Sequence, residues 1–192
     1  CDDAMTPDTD TIKRAVECIL LVGGGSVRLQ QLRTALGVPD NVITAALAEL
    51  ARDYDGHGLH IQEVAGGYQL VTRPAYADYV QRFLQLEHQE TLTRAQLETL
   101  AIVAYRQPVT RAEIDAVRGV RSDYVLDRLL DRYLIREVGR RPTLGRPILY
   151  GTTEAFLRHF GLRDLSSLPP LANHDPRNAL EAVAPQELSV SS

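Results

Sequence analysis

The chain repeats itself. Residues 27–47 and 109–129 match at an offset of 82, pairing Val27 with Val109, Leu32 with Ile114, Gly37-Val38 with Gly119-Val120, Ile43 with Val125 and Leu47 with Leu129. Two copies of one pattern in 192 residues, 44% of them hydrophobic, predict two small cores rather than one large one. The order of elements around the matched residues recurs as well. In the first copy Ile12, Ala15, Val16, Ile19 and Leu20 fall three and four apart, an amphipathic helix stopped by Gly23-Gly24-Gly25. Leu29, Leu32 and Leu36 mark a shorter helix closed by Gly37, and after Pro39 the series Val42, Ile43, Ala46, Leu47 and Leu50 marks a third. Leu59 and Ile61, then Tyr68 and Leu70, alternate on either side of Gly66-Gly67, which predicts a β-hairpin reversing at the glycines.

The second copy restarts with Leu97, Leu100, Ala101, Ala104 and Tyr105. Thr110 and Glu113 have the spacing of a capping box, Gly119 ends that helix, and Ser122 is placed to cap a third one bearing Val125, Leu126, Leu129, Leu130 and Tyr133. Ile135–Val138 and Ile148–Tyr150 then form a hairpin around a loop from Gly139 to Pro147. Unrelated amphipathic helices would share the helical period but would not bring the hairpin back in the same place. The expected fold is therefore mainly α with small β-hairpins: two tandem winged-helix domains over residues 10–88 and 89–165, joined by a helical bridge. That bridge, Pro74 to about Glu87, carries Tyr76, Tyr79, Val80, Phe83 and Leu84 on one face. Residues 1–9 read as a flexible acidic lead-in and Glu154–Phe160 as a short terminal helix. Residues 166–192, with Pro169, Pro170, Pro176 and Pro185, read as a disordered tail.

Several chemistries are unsupported by the residues. No apolar run reaches the ~20 residues that cross a bilayer, and Cys1 and Cys18 form no CxxC pair, so no membrane association is expected and a reducing cytoplasm fits. His57 and His60, beside Asp53 and Asp55, lie in a turn leading to a strand, where residues three apart face opposite ways, so no metal is expected. Gly23-Gly24-Gly25-Ser26 lacks the Lys-Ser or Lys-Thr of a phosphate loop, and no nucleophile motif occurs. Neither catalysis nor a cofactor is expected.

Charge is distributed unevenly within a total of −4: residues 1–88 hold 7 basic and 12 acidic side chains, residues 89–165 hold 13 and 10. A protein binding duplex DNA mainly through phosphates needs a larger basic excess. The third helix of the second copy matches Arg121, Arg128 and Arg132 with Asp123, Asp127 and Asp131, an unfavourable surface for a major groove, and its counterpart carries Asp40, Glu49 and Asp53 against Arg52. The most polar protrusion is the second wing, where Arg140, Arg141 and Arg146 project from a loop stiffened by Pro142 and Pro147. These guanidinium groups suit phosphates, the carboxylates of a protein partner, or solvent. Leu92, Leu97, Leu100 and Tyr105, with Tyr76, Tyr79 and Phe83, offer apolar surface for sealing the domains or for holding another chain.

Residues 97–120 (LETLAIVAYRQPVTRAEIDAVRGV) and 139–153 (GRRPTLGRPILYGTT), with Phe156-Leu157 and Phe160-Gly161 after them, resemble the bacterial segregation and condensation protein B family over about residues 10–165. The resemblance implies a homodimer formed through the first domains, capture of the central segment of the kleisin subunit (segregation and condensation protein A), and through it the SMC protein. It further implies a cytoplasmic protein associated with the nucleoid, a weak non-specific DNA contact at most, and no catalysis. Within it, Tyr105, Arg106, Arg140, Arg141 and Arg146 become candidate contacts with partner or DNA, and Tyr76, Tyr79 and Phe83 a candidate dimer or interdomain surface. A winged-helix DNA-binding transcription regulator is the alternative.

Overall fold

The computed structural model describes residues 8–84 and 91–170 and divides into two compact units, Cys1–Gln89 and Glu90–Ser192. In the first unit α1 (Thr9–Val22) buries Ile12, Val16 and Leu20, each one turn from the last, against α2 (Leu29–Leu36) and α3 (Asp40–Asp53). Leu32, Ile43, Ala46, Leu47 and Leu50 complete that core. Gly37 ends α2 at φ 67°, a left-handed cap whose N–H donates to the Arg33 carbonyl. The antiparallel pair β1 (Leu59–Val64) and β2 (Gly67–Thr72) forms the wing, and a backbone bridge from Val27 to Tyr68 lays a third short edge beside it.

The reversal lies one residue earlier than the glycine pair suggests. Ala65 (φ 51°) and Gly66 (φ 70°) make the turn, while Gly67 already pairs with Val64. Gly67 serves a different need: a Cβ there would come within 2.7 Å of the Val27 carbonyl oxygen. After a single 3-10 turn, Pro74–Tyr76, the bridge continues as α4 (Ala77–Leu84), which buries none of its residues. The expected extension to Glu87 lies outside the described residues, as do residues 1–7 of the lead-in, whereas Thr9 already begins α1.

The second unit repeats the plan around a more enclosed helix. In α5 (Arg94–Arg106) every residue from Thr99 to Ala104 is buried, so the one-sided stripe read from the sequence is too narrow. The Thr99 hydroxyl donates to the Ala95 carbonyl at 2.8 Å, which satisfies the one polar group in that run. Then follow β3 (Val109–Thr110), α6 (Arg111–Arg118), α7 (Asp123–Asp131), β4 (Ile135–Arg140) and β5 (Ile148–Thr152), in a sheet ordered β3-β5-β4. Phe156 of α8 (Glu154–His159), with Phe160 and Leu162, closes the core. Val109 pairs with Tyr150 as Val27 does with Tyr68, so the offset of 82 extends from the helices into the sheet.

Each unit is thus three helices closed by a hairpin, the expected winged-helix arrangement. Four local expectations change. Tyr133 follows α7 at φ 56° and points to solvent instead of continuing its inward face. Ser122 precedes α7 without capping it, because its buried hydroxyl accepts from Arg118 Nη1 at 3.1 Å. Val120, matched to the buried Val38, is exposed. Regular structure also passes Leu165: residues Leu165–Ser167 form a 3-10 turn and Leu168 packs on the second core, so residues 166–170 do not belong to a disordered tail.

Candidate interaction surfaces

The second wing is tied down at its root. Arg140 lies on β4, opposite Ile148, rather than in the loop, and its Nη1 donates to the Arg146 carbonyl at 3.3 Å. Arg141 turns back toward α6, where Nη1 and Nη2 reach Glu113 Oε1 and Oε2 at 2.8 and 3.1 Å. Glu113 also accepts from the Thr110 N–H and hydroxyl, the capping box read from the sequence. The Arg141 guanidinium, then the Thr110 donors, hold the Glu113 carboxyl down at about 2. A bidentate pair of this kind fixes both partners, so Arg141 braces the wing while Arg140 and Arg146 remain exposed. Between them Leu144 stands fully exposed at the tip, held there by Gly145 (φ 81°) and Arg146 (φ 40°). Its isolation in a polar loop was the sequence signal.

At the end of α5, Tyr105 and Arg106 part company. Tyr105 is half-buried and its hydroxyl donates to the Pro169 carbonyl at 2.7 Å, whereas Arg106 is exposed. Gln107 is structural: its side chain brackets Thr152, accepting from the Thr152 N–H at 2.8 Å and donating to its hydroxyl at 3.0 Å. Asp123 of α7 pairs with Arg111 of α6 and with Arg121 just before α7, and Asp131 pairs with Arg128 within α7, so acids of the helix that would enter a major groove occupy arginines around it.

In the first unit the aromatic face is open. Tyr76, Tyr79, Phe83 and Leu84 are all exposed, Phe83 to 84%, and the Arg82 guanidinium sits 5.1 Å from the centre of the Tyr79 ring. Leu21 and Val22 at the end of α1 are exposed too, although their helical period suggested only the inward set. The histidine turn has its own partners: Arg73 Nε donates to the His57 carbonyl at 2.8 Å, and burial followed by the Arg73 charge pushes the His60 imidazole down. Among the described residues no three His, Cys, Asp or Glu side chains gather into a metal cluster, and no helix is long and apolar enough to cross a membrane.

Residues 14–171 match the family described as "Segregation and condensation complex subunit ScpB". A protein named Segregation and condensation protein B from Moorella thermoacetica is 51% identical over 165 residues, 85% of this chain and 84% of its own. The crystal structure of ScpB from Mycobacterium tuberculosis is 41% identical, covering 81% of this chain and 98% of that one with a TM-score of 0.40. A dimer of an ScpB N-terminal domain complexed with an ScpA peptide is 26% identical over 38% of this chain and 95% of its own, with a TM-score of 0.37.

Proposed function

This chain belongs to the segregation and condensation complex subunit ScpB family, and from that premise we propose a non-catalytic, homodimeric scaffold that captures the central segment of a kleisin. The kleisin is segregation and condensation protein A, the partner named for the N-terminal dimer above and carried over here as part of the proposal. Through it the chain supports an SMC complex in chromosome condensation and segregation, which places it in the cytoplasm at the nucleoid. The observation that carries the pairing of copies is α4: an eight-residue helix with no buried residue leaves Tyr79, Phe83 and Leu84 exposed, and a helix this short gains most of its stability from packing such side chains on another surface.

The first domain pairs copies along that face. Beside the first-domain dimer, whose N-terminal counterpart is the one complexed with an ScpA peptide, the second domain adds contacts to the kleisin through Arg106 and through the wing tip, where Leu144 supplies apolar contact and Arg140 and Arg146 supply charge. An extended kleisin segment loses entropy on capture, which apolar burial and aligned hydrogen bonds offset. Any DNA contact is weak and falls to Arg140 and Arg146. A transcription regulator reading the major groove fits less well, because Asp123 and Asp131 of α7 occupy Arg111, Arg121 and Arg128, the arginines phosphates would need, and Asp127 adds a further acid.

Titrating a kleisin central-segment peptide into the purified chain tests this. Arg106→Ala, Arg140→Ala and Leu144→Ser should each weaken binding, the strongest by about tenfold, the order of a single interface anchor. A wild-type chain that ignores the peptide but selects a short duplex at physiological salt would replace the scaffold with the regulator.

A further inference from the structure

Tyr105 meets a segment shaped to reach it. Asp164 accepts from the Ser166 N–H at 2.8 Å and starts the turn Leu165–Ser167, from which Leu168 departs at φ −65°, ψ 139°, the extended left-handed conformation that prolines continue. Leu168 then packs, partly buried, on the core that Leu92, Leu97 and Tyr105 also flank, and the Tyr105 hydroxyl takes the Pro169 carbonyl. Burial at this contact pushes the Tyr105 phenol up. An extended Leu-Pro-Pro strand seated on an apolar surface, with one carbonyl held by an aromatic hydroxyl, is the chemistry of proline-rich peptide grooves.

We infer that the Tyr105 face of α5 is an exchangeable docking surface for an extended Leu-Pro-Pro peptide, filled in cis by this chain's own Leu168-Pro169-Pro170. The hold is light: among the described residues it consists of one neutral hydrogen bond and the partly buried Leu168 and Pro169, while Leu165 and Pro170 are exposed. A tethered occupant stays seated on so little because the short connection keeps its local concentration on the order of millimolar. The same arrangement lets a peptide of like chemistry replace it in trans. None of this requires the kleisin reading, and a failure of one leaves the other standing.

The probe is a labelled synthetic peptide of residues 163–170, added to the full chain and followed by fluorescence anisotropy. Leu168→Ser, which loosens the resident strand, should bind the peptide at least tenfold more tightly than the wild type does. Adding Tyr105→Phe, which removes only the hydroxyl, should lower that affinity several-fold. In Tyr105→Phe alone, hydrogen exchange of the Leu168 amide, bonded to the Leu165 carbonyl at 3.2 Å, should quicken several-fold while Ala101 to Ala104 keep their protection. Equal peptide affinity in wild type and Leu168→Ser overturns the inference. So does unchanged Leu168 exchange in Tyr105→Phe, which also settles the matter should Leu168→Ser fail to fold.

Discussion

Glu113 joins an element read easily from sequence to one that was not. Its capping box with Thr110 lies three residues away and is legible from spacing alone. Its ion pair with Arg141 crosses 28 residues of chain, and no local rule finds such a partner, so Arg141 looked as free as Arg140 and Arg146. Tyr133 misled for a related reason, because periodicity assumes the helix continues and the left-handed turn at φ 56° ends it. The Glu113 carboxyl lies at about 2 in the folded chain, below the 4.5 of a free glutamate. Its stabilisation is therefore present above about 4.5 and is lost as pH falls toward about 2. Glu113→Gln should flatten the fall in melting temperature across that window. Near neutral pH it should cost about 1 kcal/mol or less, since the side chain is 43% exposed and solvent screens the pair. An acid melting profile matching the wild type would remove Glu113 from the wing's support.

The helices and hairpins were legible because each shows a period, 3.6 or 2, and because the second copy restates the first. The pairing of Val27 with Tyr68 and of Val109 with Tyr150 was not, since a two-residue strand has no period to detect. Glycine pairs were only partly informative: Gly66 turns the chain, but Gly67 leaves room for the Val27 backbone. Two substitutions separate these roles. Gly119→Ala, at φ 74° with open space where a Cβ would go, should cost about 1 kcal/mol through backbone conformation alone. Gly67→Ala sets a Cβ against the Val27 carbonyl and should cost more than ~2 kcal/mol by breaking the bridge to the wing. Urea unfolding of the two variants gives the comparison, and equal losses would show that Gly67 has no packing role. Ile114→Ala, on α6 in the second core at 0% exposure, should cost ~2–5 kcal/mol.

A chain built from two small cores leaves much apolar surface uncovered, and α4 concentrates it. Sequence located this face at Tyr76, Tyr79 and Phe83 because a helix that buries nothing still keeps its period, but the same signal also fits a helix sealed by its own domain. Phe83→Ser with Tyr79→Ser should shift sedimentation toward a monomer while leaving each domain folded by circular dichroism. A dimer undiminished by both changes would move pairing to another face, with Leu21 and Val22 the next exposed group. The proposed scaffold requires two copies to be held together on one kleisin. The decisive measurement is the native mass of the assembly recovered after coexpression with the kleisin under reducing conditions. Two copies of this 21.3 kDa chain per kleisin is the stoichiometry expected. Recovery of the kleisin without this chain, or of this chain without the kleisin, would contradict it.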